Sequence, residues 1–185
     1  MFQNKARKGR SVVNILKRAV FLAFLVIWTG CGYTNKIVLP YEGAKTIAIP
    51  MFRNSIPPES MLTYIAGLEP GVTQAVIDEL VRDGNLKVVD EKNADLILKG
   101  ELARFEQEGF RFNLYEQVAQ YRLFIVVRLE LIDARTKKVY WKEKNFTGET
   151  DYFIQGPRAI SQEQATEKAI ADLAEKIANR VVEEW

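Results

Sequence analysis

The chain of 185 residues carries 26 Lys and Arg against 24 Asp and Glu, a single cysteine and no histidine. Without imidazole or a second thiol there is no Ser-His triad, no Cys-His pair, no Cys/His metal cluster and no disulfide framework, so the sequence predicts neither catalysis nor a cofactor. Six cations and no acid lie before residue 31; the remaining 155 residues hold 20 cations against 24 acids, a net of −4, which excludes the basic footprint that nucleic acid requires.

In chain order, Lys5, Arg7, Lys8, Arg10, Lys17 and Arg18 precede an apolar run from Ala19 to Trp28, which leads into Thr29-Gly30-Cys31. Ten apolar residues rise about 15 Å as a helix, against a bilayer core of about 30 Å, so the run is a signal core and not a span. Residues 1–30 therefore read as a cleaved secretory signal. The small-small-Cys ending resembles a bacterial lipobox, with Trp28 where leucine is usual, and Cys31 is the expected lipidation site. An exposed unpaired thiol in an exported protein would otherwise be a liability. By resemblance to bacterial sorting signals, Gly32 in place of Asp favours the outer membrane over retention at the inner one. Residues 31–43 read as a lipidated tether and 44–185 as one domain, a size that suits a single core.

Within that domain, Lys45 to Ile49 is a short β-branched strand stopped by Pro50. Pro70 suits the first turn of a helix whose apolar face is Val72, Val76 and Leu80, with Asp83-Gly84 as the stop. The stretch from Ser60 to Leu68 reads either as an earlier helical turn or as loop. Leu86 to Val89 is a brief strand. Leu96 to Phe105 follows, with Leu96, Leu98 and Leu102 on one face and Lys99 and Glu101 on the other. A long loop over 106–120, rich in aromatics, is expected next, with Glu106 and Glu108 solvated. The clearest strand is Tyr121 to Ile132, whose odd positions are apolar throughout. The turn Asp133 to Lys137 returns the chain into a strand over 138–147. Two registers stay open, one with Arg128 opposite Glu143, the other with Glu130 opposite Lys142. Ser161 to Glu184 is an amphipathic helix opened by a Ser161/Gln164 capping box. The expected fold is α+β, a two-layer sandwich with two helices on one face of a four-stranded, mostly antiparallel mixed sheet.

Several motifs fall in order along the chain. They are Cys31-Gly32-Tyr33, Lys45 to Asn54 (KTIAIPMFRN), Arg82 to Val89 (RDGNLKVV), Ala94 to Glu101 (ADLILKGE), Tyr121-Arg122-Leu123, Leu131-Ile132-Asp133, Thr136 to Trp141 (TKKVYW) and Arg180 to Trp185 (RVVEEW). Together they resemble the lipopolysaccharide-assembly lipoprotein family, LptE, with Lys137 where a turn glycine is more usual. The resemblance implies an outer-membrane lipoprotein that plugs and helps assemble a large LptD-type β-barrel and contacts lipopolysaccharide. The Pro-Met-Phe-Arg-Asn element is also similar to other envelope lipoproteins. It leaves open a lipid-anchored subunit of a secretion or pore assembly.

A plug acts by surface complementarity. Residues 99–144 carry ten cations and seven acids, making this the only net-positive stretch of the mature chain. Arg104, Arg122, Arg128, Lys142 and Lys144 are the candidate contacts to phosphorylated glycolipid, since Arg and Lys recognise phosphate. Phe124 and Val126, with Phe105 and Tyr140 if these share their face, are candidates for an apolar patch.

Overall fold

The apolar alternation around residues 121–132 sits at the centre of a six-stranded sheet in the computed structural model, which describes Tyr41 and residues 43–57 and 67–182. The expected signal, the lipidation site Cys31 and the 58–66 stretch lie outside the described residues. The strands are β1 (Thr46–Ala48), β2 (Arg53–Asn54), β3 (Lys87–Val88), β4 (Leu96–Phe112), β5 (Val118–Asp133) and β6 (Val139–Phe153). The helices are α1 (Leu68–Asp83) and α2 (Gln162–Val182). The main path runs β3-β1-β4-β5-β6, and β2 pairs separately with β4. The three long strands are antiparallel, whereas β1 and β2 run parallel to β4. The α+β sandwich is therefore as expected, but the count is six strands and not four. The neighbour of β4 on its β1 side is split into β1 and β2 around Pro50, which has no N–H to continue the ladder.

The larger correction concerns residues 106–120. β4 continues to Phe112 and β5 begins at Val118, leaving only 113–117 as turn. β6 likewise runs to Phe153, past the expected end at 147. In β4 the side chains after Gln107 are exposed, and in β6 the inward positions beyond 147 are Gly148, Thr150 and Tyr152, so the ladder continues without a run of alternating apolar residues. A sequence pattern built on burial therefore cannot register these strands.

The core lies between the sheet and its two helices. Leu123, Ile125, Val127, Leu129 and Leu131 of β5 are all buried in it. α2 crosses β5 and β6 with Ala165, Ala169, Leu173, Ile177 and Val181 inward, and α1 packs against α2. Each large apolar chain buried there contributes about 1.5–3 kcal/mol. α2 begins with the expected reciprocal cap: Gln164 N donates to Ser161 Oγ (3.2 Å), and Ser161 N donates to Gln164 Oε1 (3.1 Å). α1 ends on Gly84 at φ 76°, where its N–H donates to Leu80 O, a left-handed stop. Thr73, buried in α1, accepts the Phe52 N–H at 3.0 Å and donates to Glu69 O, tying the β1–β2 edge to the helix layer.

Gly148 permits the close approach of α2 to β6. A Cβ there would lie 2.4 Å from Leu173 Cβ and 2.6 Å from the Ala169 carbonyl oxygen. A smaller cluster, Ala48, Ala94, Ile97 and Ile132, covers one end of the opposite sheet face.

Candidate partner-contact surface

Register decides which side chains share the open face, the one away from the helices. Glu130 stands opposite Lys142, and Leu129 opposite Glu143, so the alternative that put Arg128 against Glu143 does not hold. Arg128 instead faces Glu101 across β4–β5, and on its β6 side the ladder is interrupted by a bulge at 144–145. A second bulge, at Ala103, moves the inward residue of β4 from even to odd positions. Phe105 therefore lies opposite Ile125 in the core rather than beside Phe124. Tyr140 likewise packs against the core, because a register shift near it turns its side chain inward. The expected four-residue patch reduces to half-buried Phe124 and buried Val126.

The open face is a ladder of ion pairs. Arg122 grips Asp151 through Nε (2.6 Å) and a second guanidinium nitrogen (2.9 Å), and lies 4.1 Å over the Phe110 ring. Arg128 meets Glu101 at 3.0 Å, Lys142 meets Glu130 at 2.7 Å, and Arg104 meets Glu106 at 3.5 Å. Four of the five candidate cations thus hold a carboxylate, while Lys144 is exposed without one among the described residues. Exposed pairs like these contribute little to folding, typically below about 1 kcal/mol, and can exchange partners at small cost. The Arg122 guanidinium holds the Asp151 carboxyl below its usual range. Glu106 and Glu108 share this face, opposite Phe124 and Arg122, as strand residues.

Three of the candidates, Arg128, Lys142 and Lys144, line one shallow groove of about 500 Å³. Arg104 and Arg122 lie farther along the sheet and do not line it. The structure adds Arg53 and Lys99 to the groove, both exposed and without an ion-pair partner among the described residues. Lys99 was visible in the alternation of its strand. Arg53 reaches the groove only because a two-residue strand pairs parallel with Glu101 and Leu102, which no local pattern announces.

Beyond the groove the β4–β5 hairpin ends in an apolar tip. Phe110, Phe112, Leu114 and Tyr115 are 43%, 61%, 99% and 83% exposed. The turn that carries them is braced by Asn113, whose Oδ1 accepts the N–H groups of Tyr115 (2.9 Å) and Gln117 (3.0 Å). Its side-chain amide also donates to Gln117 Oε1, and its N–H to the Gln117 carbonyl. Such a local side-chain-to-backbone network holds a turn in one shape. Apolar chains held outward this way lose less entropy on contact than a floppy loop would.

Among the described residues no helix is long and apolar enough to cross a membrane. The model of the lipopolysaccharide-assembly family (LptE) matches residues 44–184. No curated protein matches the chain. Solved structures similar to it include PelC of Paraburkholderia phytofirmans, in a dodecamer (14% identity, 76% of this chain and 90% of that one, TM-score 0.48). They also include the rare lipoprotein B of Shewanella oneidensis (18%, 74% and 90%, 0.43) and a minor lipoprotein of Acinetobacter baumannii (12%, 75% and 93%, 0.47). These likenesses are too distant to carry a functional argument.

Proposed function

Because the chain belongs to the lipopolysaccharide-assembly (LptE) family, we propose that it is a non-catalytic outer-membrane lipoprotein, anchored through Cys31, that partners and plugs a large LptD-type β-barrel and contacts lipopolysaccharide. The family match across residues 44–184 is the observation that carries this reading. The surface is consistent with it. A rigid three-stranded ribbon with one solvated, charged face suits an aqueous barrel interior, which exposes polar walls to its plug. Arg104, Arg122, Arg128, Lys142 and Lys144 would meet the phosphates of the glycolipid by exchanging carboxylate for phosphate oxygen. The apolar tip at Phe112, Leu114 and Tyr115 would be the part that seats against the partner.

Two measurements test this. A tagged chain extracted in detergent should bring down one large barrel protein at one-to-one stoichiometry; a ring of copies of this chain without a barrel would overturn the reading in favour of a pore or secretion subunit. Reversing Arg122, Arg128 and Lys142 together should weaken lipopolysaccharide binding by the soluble domain at least tenfold at fixed salt. Unchanged affinity would remove these residues from the contact.

A further inference from the structure

Strand register sets the five cations of the groove in a definite order. Across the sheet from β2 to β6, Arg53 stands beside Glu101, Glu101 faces Arg128, and Arg128 faces the bulge that carries Lys144. One row back, Lys99 faces Glu130, and Glu130 faces Lys142. Each of these two carboxylates thus has a cation on either side, yet holds only one of them: Glu101 binds Arg128, and Glu130 binds Lys142. Arg53 and Lys99 are left over on one wall of the groove and Lys144 on the other. All three are exposed and without an ion-pair partner among the described residues. Of the two other acids along the groove, Glu143 is taken by Arg180 of α2 at 3.2 Å, which leaves Glu91. Positive charge is therefore in excess, and it stands at the two walls.

The first wall is fixed by the core beneath it. Phe52 is 2% exposed, packs against Gly100 and has its N–H held by Thr73, so the next residue, Arg53, is turned to the open face. Lys99 lies one strand over and two residues before Glu101, about 8 Å from Arg53 between backbones. Two long side chains at that diagonal can close on one phosphate. Arg53 and Lys144 are three strand spacings apart, about 14 Å. Pro50 and exposed Met51 add an apolar rim, and the volume of about 500 Å³ falls in the range of sites that hold a small molecule.

We propose that the groove is a subsite for a saccharide headgroup that bears two phosphates, one taken by Arg53 and Lys99 and the other by Lys144. The ion-paired strip of Glu101, Arg128, Glu130 and Lys142 lies beneath the sugar. This site rests on the reading that the chain contacts lipopolysaccharide, and it gives the first phosphate contacts to cations that hold no carboxylate. Such a cation binds an anion directly, whereas Arg128 and Lys142 must first exchange a partner.

The test uses the full lipidated chain in detergent micelles at fixed salt, with bisphosphorylated lipid A, its monophosphorylated form and phosphatidylglycerol as probes. The unaltered chain should bind the bisphosphorylated form at least fivefold more tightly than the monophosphorylated one. Arg53→Gln with Lys99→Gln should weaken binding of the first at least tenfold and erase the preference. Lys137→Gln with Lys168→Gln removes the same charge from exposed positions outside the groove and should change neither. Glu130→Gln removes an acid and releases Lys142, and should tighten binding at least twofold, a direction that damage to the fold does not produce. A preference retained in the Arg53/Lys99 variant, or weaker binding by Glu130→Gln, overturns the groove and leaves the glycolipid contact standing. An equal loss against phosphatidylglycerol overturns the two-phosphate assignment in favour of a general anion site. Loss of the co-purifying barrel protein with lipid A binding intact overturns it in favour of an acidic protein segment. No binding of lipid A by the unaltered chain overturns the glycolipid reading and the groove with it.

Discussion

The two faces of the same three strands are held by different physics. On the helix-covered face Leu123, Ile125, Val127, Leu129 and Leu131 are all buried, and α2 comes so near that a glycine must sit beneath Leu173. On the open face the same strands carry Arg122–Asp151, Arg128–Glu101 and Glu130–Lys142, each partly in water. Close packing is intolerant of added volume, whereas solvated ion pairs can be rearranged at little cost in folding. Stability is therefore concentrated on one face, and the other is free to carry recognition. The core side should answer to volume, and the open side to charge and pH.

The largest effect expected is at Gly148. Gly148→Ala should cost about 3 kcal/mol in urea unfolding, because the new methyl meets the backbone of α2 and not a movable side chain tip. Gly109→Ala, near the exposed hairpin tip and 3.1 Å from a Val118 methyl, should cost less than about 1 kcal/mol. Equal costs would break the contrast between the close-packed middle of the ribbon and its solvated end.

Next comes acid. Asp151 is held low by the Arg122 guanidinium, Asp95 by the Lys45 N–H and then the Thr46 hydroxyl, and Asp133 by the Thr136 N–H. A carboxyl with a depressed folded value binds protons less readily than in the unfolded chain. Its contribution is therefore complete above the unfolded value, near pH 4, and is lost as pH falls through the folded value. The urea midpoint should be nearly flat from pH 5.5 to 8, where no histidine titrates, and should drop below about pH 4. Asp151→Asn should make that drop shallower. A midpoint that falls steadily from pH 7 would contradict it.

The smallest effect sharpens a second contrast, between the hairpin turns. Glu116 and Lys137 both adopt left-handed backbone, at φ 60° and 59°. A side chain there costs about 1–2 kcal/mol, part of which glycine returns through the greater freedom of the unfolded chain. Lys137→Gly should raise stability by about 0.5 kcal/mol, measured by the same unfolding experiment, and should leave lipopolysaccharide binding unchanged. A loss of stability would show that the Lys137 side chain matters more than its backbone.

Where one face of an element is buried, its residues announced it. The alternation of β5, the Val72, Val76 and Leu80 face of α1, the Ser161/Gln164 cap and the Ala169 to Val181 stripe of α2 each follow from local periodicity or local hydrogen bonding. The departure at Lys137 was also legible, and the turn it occupies explains it. The second half of the hairpin was not legible, because strand residues 108–112 are exposed on both sides and show no apolar alternation, while their backbone continues the ladder. Nor was the side to which Phe105 points, since one extra residue at Ala103 reverses the positions of β4 that follow it, as far as the next register shift after Gly109.

The sequence by itself thus determined the helices, the central strand, and the absence of imidazole and disulfide chemistry, because each is a property of neighbours along the chain. Only the tertiary structure decided which cations share a groove, how Trp141 is held between Tyr41 and Arg180, and that the aromatic segment ends a rigid ribbon instead of forming a loop. Those outcomes depend on register and on bulges. A single inserted residue changes both, and neither leaves a trace in composition or period.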